Sequence, residues 1–323
     1  MRLTLAVVMA VVGLSALFLA IVPGARMGDL PDLAGIDLGA DLSTWLNARE
    51  SFDDIVDGAE ARVEWAGDEG TPTQWGIVYL HGFSGTSEEI RPVPERVAEA
   101  LGANVFYTRF TGHGRDGADM ALASAEAWAR DTSEAVAVGQ RIASRVLVIG
   151  TSTGGTMAAI AAADRATADA VDAVVMISPN FGPQNPMTPL LTWPAASVWV
   201  PLIAGETRGF DPENELHARY WTEAYPTIAT IPMQAAVDRA KQAELENIVA
   251  PALFIYSPDD KVVRPAATKN AIDAWGGPVE VMTVAAGEGV DPSNHVLAGD
   301  ILSPTMTDPV VQRILTWVRS LPE

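Results

Sequence analysis

The sequence predicts an α/β fold, in which a mostly parallel sheet is covered by helices on both faces. Short runs of β-branched, aromatic and other apolar residues recur along the chain, and helical stretches lie between them. Continuous apolar strands that alternate with helices are typical of parallel sheets buried on both faces. Hydrophobic residues make up 48% of the 323 positions and charged residues 19%, a balance that excludes a wholly disordered chain.

The individual elements follow from local patterns. Seven apolar runs are predicted as strands: Ala61–Trp65, Trp75–Leu80, Asn104–Arg109, Arg145–Ile149, Ala173–Ile177, Leu253–Tyr256 and Val279–Val284. Helices are predicted at Ser124–Ile142, with Ser124 as the N-cap, and at Met157–Ala163. The last helix is predicted to begin at Asp308-Pro309, because a capping side chain followed by proline is a typical helix start.

An apolar segment opens the chain. Residues Leu3–Val22 are almost wholly apolar and follow Arg2, and twenty helical residues span about 30 Å, the thickness of a bilayer core. We expect residues 1–25 to be a retained membrane anchor, with a cleaved signal peptide or a buried helix as alternatives. The first two place the body outside the cytoplasm, either membrane-anchored and facing the periplasm or exterior, or secreted. Residues 26–60 are predicted to form a tether and a leading helix before the main domain, residues 61–323.

Between the fifth and sixth predicted strands the pattern changes. The chain from about 180 to 250 is rich in proline, contains Trp193, Trp199 and Trp221, and has no convincing strand. A structureless loop of that length is improbable in a compact domain. We therefore predict an inserted helical cap over the carboxyl edge of the sheet, where open α/β sheets place their sites. The tryptophans are expected mainly in the core of the cap, with a place in the substrate pocket as the alternative.

The composition also limits partners and cofactors. Lys and Arg number 21 against 41 Asp and Glu, a formal net charge of −20. Nucleic acids and anionic membrane surfaces carry dense negative charge, so the composition argues against both as partners. The chain has no cysteine, which excludes disulfides, thiolate nucleophiles and cysteine-bound metals.

The first functional motif is a serine in a sharp turn. Gly150-Thr-Ser152-Thr-Gly154 directly follows a predicted strand and precedes a helix of small residues. Such a turn brings chain segments close together, so its flanking positions need residues without side chains. In this strand–turn–helix context the Gly-x-Ser-x-Gly pattern presents a nucleophile. Ser152 is therefore predicted as the nucleophile, the alternative being a glycine-rich turn with an idle serine.

The second motif is a His-Gly loop after an early strand. The strand ending at Leu80 leads into His81-Gly-Phe83. A hydrolytic serine needs N–H donors aimed at the oxyanion that develops when it attacks a carbonyl. The backbone N–H groups of Phe83 and of Thr153, the residue after the nucleophile, are the predicted donors. His81 itself is expected to shape the loop.

A third region supplies an acid and a base. The strand ending at Tyr256 is followed by Asp259 and Asp260, and the loop after the last strand contains His295. In an α/β fold with a serine nucleophile in a strand–turn–helix segment, the chain order expected is serine, then carboxylate, then histidine. The chain has three other histidines, none of which follows such a carboxylate: His81, His113 and His217. His295 is therefore the predicted base.

Taken together, the motifs resemble those of the α/β-hydrolase superfamily, and within it the capped branch of bacterial carboxylesterases and monoacylglycerol lipases. The resemblance covers roughly residues 65–321. It implies Asp260 rather than Asp259 as the acid, from the family pattern Asp-x-Val-Val, and a structural role for His113. The matching segments are His81-Gly-Phe-Ser-Gly85, Thr111-Gly-His-Gly114, Gly150-Thr-Ser-Thr-Gly154, Asp260-Lys-Val-Val263 and His295-Val-Leu297.

The resemblance implies a serine carboxylic-ester hydrolase that acts through an acyl-enzyme on short-to-medium acyl esters. Ser152, His295 and Asp260 would be the catalytic residues, with an oxyanion hole at the Phe83 and Thr153 N–H groups. No metal or organic cofactor is required. The expected partner is a small-molecule ester, together with the membrane if the N-terminal segment is retained.

Other activities remain open at this point. An aminopeptidase, thioesterase, acyltransferase or C–C hydrolase would use the same residues, and a non-catalytic binding protein could use the same fold. An aminopeptidase needs acidic groups near the nucleophile to hold an ammonium. The predicted cap offers five such residues: Glu206, Asp211, Glu213, Glu215 and Glu223. Haloalkane dehalogenase and epoxide hydrolase relatives carry aspartate at the position of Ser152, so their chemistry is disfavoured.

Overall fold

The computed structural model describes residues 22–322, together with Met9 and Gly13 near the start of the chain. The strands of these residues are β1 (Arg62–Glu64), β2 (Thr73–Leu80), β3 (Asn104–Tyr107), β4 (Ala143–Thr151), β5 (Ala173–Ile177), β6 (Thr207–Gly209), β7 (Ala224–Pro226), β8 (Ala252–Tyr256) and β9 (Val279–Thr283). Seven of them form one sheet in the order β1-β3-β2-β4-β5-β8-β9. Strand β1 is antiparallel to β3, and all other pairs in this sheet are parallel. The mostly parallel sheet predicted from the sequence is confirmed.

Helices cover both faces of this sheet. The helices of the described residues, including those of the insertion after β5, are α1 (Leu42–Arg49), α2 (Val93–Leu101), α3 (Ala125–Ile142), α4 (Thr153–Ala163), α5 (Ala196–Ala204), α6 (Glu215–Tyr220), α7 (Thr230–Gln242), α8 (Pro265–Ala274) and α9 (Pro304–Val318). Short 3-10 turns lie at Leu33–Gly35, Ser87–Ile90, Gly117–Leu122, Ala168–Ala170, Thr188–Thr192, Thr227–Ala229 and Leu245–Asn247. Successive side chains of a strand point to opposite faces. Accordingly, Val78 and Val148 pack with α3 and α4, whereas Ile77 and Ile149 pack with α2 and α9.

The start of the last helix differs from the prediction. The helix begins at Pro304, and Pro309 lies inside it rather than at its first position. Pro304 also fits the first turn of a helix, because the N–H groups there have no partner within the helix and proline lacks only such a group. Asp308 does not cap the helix; its exposed carboxylate pairs with Arg96. Thr307 is buried one residue earlier and donates a hydrogen bond to Asp300 at 2.9 Å, which holds the first turn in place.

The predicted anchor or signal segment, residues 1–25, lies largely outside the described residues. Among residues 22–322, no helix combines the length and apolar character that a membrane span requires. Part of the predicted tether packs on the body. Met27 and Leu30 are buried, and the Leu30 N–H donates to the carboxylate of Asp164 at 3.0 Å.

The chain between β5 and β8, residues 178–251, forms an insertion with three helices and one small ribbon. The ribbon of β6 and β7, which pairs Arg208 with Tyr225, falls where the sequence suggested no strand. Helix α7 packs against α4 and places Ala235 and Ala236 in the same core as the sheet. It therefore belongs to the helical layer of the body. The earlier part of the insertion contributes Trp221 and Tyr225 to a pocket at the carboxyl end of β4.

Candidate active site

Ser152 occupies the sharp turn between β4 and α4. Its backbone has φ 51° and ψ −114°, a positive-φ conformation that costs a non-glycine residue roughly 1–3 kcal/mol and is found mainly at functional sites. The end of β5 and the loop after it hold Ser152 there: the Ser152 N–H donates to the Ile177 carbonyl at 2.9 Å, and the Asn180 N–H donates to the Ser152 carbonyl at 3.0 Å. The geometry projects the side chain out of the sheet edge.

The glycines on both sides of Ser152 are required by close approach. A Cβ atom at Gly150 would lie 2.4 Å from the Gly154 carbonyl oxygen. One at Gly154 would lie 1.8 Å from the carbonyl oxygen of Leu80. Because both obstructing atoms belong to the backbone, no side-chain movement could relieve the clash. The small residues thus bring the N-terminus of α4 against the end of β2, where the His-Gly loop begins.

His295 lies between Ser152 and Asp260. Its Nε2 atom is 2.9 Å from Oγ of Ser152, and its Nδ1 atom is 2.8 Å from Oδ2 of Asp260. The three residues are buried, with exposed fractions of 4–8%. The structure thus brings together the three side chains that the sequence singled out as nucleophile, base and acid. In this arrangement Nδ1–H donates to the carboxylate, which leaves Nε2 free to accept the serine proton.

The loop that carries His295 is organised by a second aspartate. Asp291 accepts the backbone N–H groups of His295 at 3.0 Å and Val296 at 2.8 Å. Burial alone would raise the pKa of Asp291, but these bonds and those from Ser293 lower it. Asp291 is therefore ionised, and it holds the backbone of the loop at His295.

Charge around the imidazole favours its protonated form. Burial alone would lower the pKa of His295, but the Asp260 carboxylate, with Asp291 and Glu89, outweighs burial and raises it above the ordinary value. An imidazolium would therefore be stabilised at this position. Such stabilisation suits a group that takes a proton during a reaction.

Phe83 and Thr153, the predicted oxyanion donors, both line the pocket that contains Ser152. Thr153 is the first residue of α4, so its N–H has no partner within the helix and lies at the positive end of the helix dipole. The Phe83 ring packs edge-on against Tyr225 and His113. This packing fixes the loop that carries the Phe83 N–H. The role of both N–H groups stays a prediction.

The other histidines are held in neutral form. His81 is fully buried; its Nε2 accepts the Phe110 N–H at 3.0 Å, and its Nδ1 is bonded to the Gly82 carbonyl at 2.8 Å. Burial lowers the pKa of His81 to about 4 and lowers that of His113 as well. His217 of the insertion stacks on Phe210 and faces the pocket. None of the three lies within hydrogen-bond distance of the Ser152 hydroxyl.

The pocket above Ser152 has a volume of about 400 Å³. Apolar and aromatic side chains dominate its wall: Phe83, Phe210, Trp221, Tyr225, Met233, Val262, Val263 and Leu302. Asp211 and Glu213, two of the five acidic residues considered from the sequence, also line it. Within residues 22–322, no group of three His, Asp or Glu side chains converges as metal ligands would.

Sequence reasoning missed Glu89, Tyr79 and Asp291. Glu89 is 2% exposed and binds the His-Gly loop, yet it follows Glu88 in a polar stretch that gives no sign of burial. The Asp291-Pro-Ser-Asn-His295 segment does carry a signal, because aspartate two positions before serine is typical of a side-chain-stabilised turn.

Comparison with known proteins agrees with this fold. Residues 77–300 match the Alpha/beta hydrolase family. The chain is similar to the thermostable monoacylglycerol lipase of Bacillus sp. (strain H-257), with 27% identity over 59% of this chain and 72% of that protein.

Two solved structures share the architecture. One of the metagenome-derived lipolytic enzymes LipS and LipT superposes with a TM-score of 0.65 at 21% identity, covering 83% of this chain and 100% of that one. The Paleococcus ferrophilus monoacylglycerol lipase gives 0.55 at 17% identity, covering 81% and 99%. Since the family match spans more than half of the sequence and the fold agrees with it, the chain belongs to the alpha/beta hydrolase family.

Proposed function

We propose that the protein is a serine carboxylic-ester hydrolase that acts through a covalent acyl-enzyme. The observation that carries this proposal is the hydrogen-bonded series from Ser152 through His295 to Asp260, with separations of 2.9 and 2.8 Å. The series lies in an apolar pocket beside a helix N-terminus. The names of the similar lipolytic proteins support ester hydrolysis in particular.

Acylation follows from the proton positions. Ser152 Oγ attacks the ester carbonyl carbon while His295 Nε2 accepts the hydroxyl proton. Asp260 keeps the other imidazole proton on Nδ1 and stabilises the imidazolium. When the tetrahedral intermediate collapses, the carbon–oxygen bond of the alcohol breaks, and His295 returns its proton to that alcohol as it leaves.

Deacylation repeats these steps with water. His295 removes a proton from water, and the hydroxide adds to the acyl carbon. When this tetrahedral intermediate collapses, the bond to the Ser152 oxygen breaks, His295 returns its proton to that oxygen, and the acid is released. In both halves negative charge develops on the carbonyl oxygen. The Phe83 and Thr153 N–H groups would stabilise it, each by about 2.7–4 kcal/mol if they act as other oxyanion donors do.

The pocket supports small lipid-like esters as substrates. Its volume of about 400 Å³ falls within the range of small-molecule sites. Phe210, Trp221 and Met233 offer apolar surface for an acyl chain. We therefore place the substrate among short-to-medium acyl esters, including monoacylglycerol-like esters.

A second candidate is an aminopeptidase. Asp211 and Glu213 line the same pocket and could hold a substrate ammonium through charge-assisted hydrogen bonds. A serine nucleophile can open an amide through the same two steps. The pocket wall is nevertheless mainly apolar, which favours the ester.

The two candidates are separated by one panel of substrates. We would measure kcat/KM for p-nitrophenyl esters of increasing chain length and for aminoacyl anilides, with Ser152→Ala as the control for background. Ester hydrolysis that prefers short or medium chains supports the proposal. Hydrolysis confined to the anilides, and weakened by Glu213→Gln, would replace it with the aminopeptidase.

Location rests on the sequence alone. We propose that the apolar segment Leu3–Val22 exports the body and retains it at the membrane. Fractionation of a tagged full-length chain tests this: recovery with the membranes at full length is expected. A soluble cytoplasmic protein would contradict export.

A further inference from the structure

A buried carboxyl group lies behind the predicted oxyanion donor. Glu89 is in the 3-10 turn Ser87–Ile90, and its side chain is turned inward with 2% of the residue exposed. Its Oε1 atom accepts the Tyr79 hydroxyl and the Gly82 N–H, each at 2.6 Å. Burying a carboxyl group is unfavourable unless hydrogen bonds satisfy it, and these two bonds offset part of that cost at Oε1.

The glycines of the loop bring this carboxyl close to the nucleophile. A Cβ atom at Gly82 would lie 3.0 Å from Oε2 of Glu89 and 3.3 Å from Cβ of Ser152. A Cβ atom at Gly85 would lie 2.5 Å from the same Oε2 atom. Gly82 therefore lies between the carboxyl group of Glu89 and the side chain of Ser152, and both Gly82 and Gly85 lie close to that carboxyl group.

Tyr79 links this carboxyl to the other side of the site. Its hydroxyl lies 3.0 Å from Oγ1 of Thr151, the residue before Ser152. The single phenol proton is donated to Glu89, so the Thr151 hydroxyl donates to Tyr79. The Gly82 N–H and the residue preceding the nucleophile are thus joined through two buried side chains, Glu89 and Tyr79.

We propose that Glu89 is a positioning residue for the oxyanion hole: fixed by the Tyr79 hydroxyl, its carboxyl holds Gly82 and so sets the Phe83 N–H beside Ser152. This inference rests on the proposed serine mechanism. Phe83 follows Gly82 directly, so a change in the Gly82 backbone would reorient the peptide that carries the Phe83 N–H. Displacement of this donor would weaken binding of the oxyanion more than binding of the ester.

The electrostatic surroundings give Glu89 a signature that a purely structural residue lacks. Burial raises its pKa to about 7, whereas the Tyr79 and Gly82 bonds and the charge of His295 act in the opposite direction. In return, Glu89 adds to the rise in the pKa of His295 caused by Asp260 and Asp291. Tyr79 and His295 are the titratable side chains that act on the pKa of Glu89, and both lower it. Removing the charge of Glu89 should therefore lower the pKa of His295.

The test compares three variants of the full-length chain on a p-nitrophenyl ester. Glu89→Gln keeps an oxygen that can accept both bonds but cannot ionise, and Glu89→Ala removes the acceptor. Glu88→Gln is the matched control, since Glu88 is in the same turn but pairs with Arg62 and Arg91. Circular dichroism and thermal unfolding verify the fold, and fluorophosphonate titration counts the reactive serines.

For Glu89→Ala we expect kcat to fall about 10- to 100-fold with KM nearly unchanged, because a displaced donor loses part of the 10²–10³ attributed to an oxyanion-hole group. Glu89→Gln should restore most of kcat and move the acidic limb of kcat/KM to lower pH. Glu88→Gln should match the wild type in both respects.

Unchanged kcat in a folded Glu89→Ala, or a loss of activity that appears in KM rather than in kcat, would overturn the inference. If Glu89→Ala does not fold, the Tyr79→Phe variant tests the inference instead, because it keeps the Glu89 carboxyl group and removes the hydroxyl that fixes it. A decrease in kcat supports the inference, and an unchanged kcat overturns it. Failure of the proposed function has a different result, since Ser152→Ala would then retain activity.

Discussion

Asp260 and His295 meet through a carboxylate that is held on both of its oxygens. Oδ2 lies 2.8 Å from Nδ1 of His295, and Oδ1 accepts the backbone N–H groups of Val262 and Val263 at 2.8 and 2.9 Å. The turn after β8 thus points the carboxylate at the imidazole. Both N–H donors to Oδ1 come from the two valines of the Asp-x-Val-Val segment.

The first prediction concerns the choice between the two neighbouring aspartates. Asp260→Asn should reduce kcat by about 10³- to 10⁴-fold, because an amide in this position favours the wrong imidazole tautomer. Asp259 is exposed and makes no bond to His295, so Asp259→Asn should leave kcat nearly unchanged. Steady-state kinetics on one ester checks both, and the reverse ranking would reassign the acid.

The second prediction concerns the nucleophile. Ser152→Ala should lower kcat by at least about 10³-fold with the fold intact, since only a hydroxyl is removed. Ser178 provides the control: it is buried, has φ 45°, and its hydroxyl has no hydrogen-bond partner among the described residues. Ser178→Ala should keep its activity. Equal activity of the two variants would place the nucleophile elsewhere.

The third prediction is the pH dependence. His295 acts as a base only when neutral, and its pKa is raised above the ordinary value of about 6.5. A raised pKa means that the ring is still protonated slightly above that pH, so kcat/KM should fall as the pH decreases through a midpoint at or above 6.5. A profile that stays flat down to about pH 4 would contradict this role.

The fourth prediction concerns the close contact between α4 and β2. Gly154→Ala places a methyl group against the Leu80 carbonyl, so the backbone must move and stability should fall by about 1–3 kcal/mol or more. Gly287→Ala is the control, because nothing lies within 4 Å of a Cβ atom at that position. Urea unfolding and ester hydrolysis measure the effect. Two variants of equal stability would show that the contact is not required.

Much of the fold could be predicted from local patterns. Central strands such as Ala173–Ile177 are continuous apolar runs, and the structure has this strand with the same bounds. The start of the last helix could not be placed, because Pro304 and Pro309 both fit a first turn and only the burial of Thr307 favours the earlier one. The two strands of the ribbon, β6 and β7, have three residues each. Such strands are too short to show the alternation of apolar and polar residues by which a strand is predicted.

The site was predictable to the extent that its residues lie in local motifs. Ser152 lies in the turn directly after β4 and His295 in the loop after β9, and each belongs to a short motif that is recognisable in the sequence. Glu89 had no such context, because its role depends on Tyr79 and Gly82 approaching it in three dimensions. Burial of a carboxyl group is a tertiary property that neighbouring residues do not encode.

The central claim is that Ser152 is the reacting nucleophile, and covalent labelling tests it most directly. The full-length protein would be treated with a fluorophosphonate, digested, and the modified residue located by mass spectrometry. The account predicts a single adduct on Ser152, formed in step with loss of ester hydrolysis and absent from Ser152→Ala. A folded, ester-hydrolysing protein whose adduct lies on another residue, or that forms none, would contradict it.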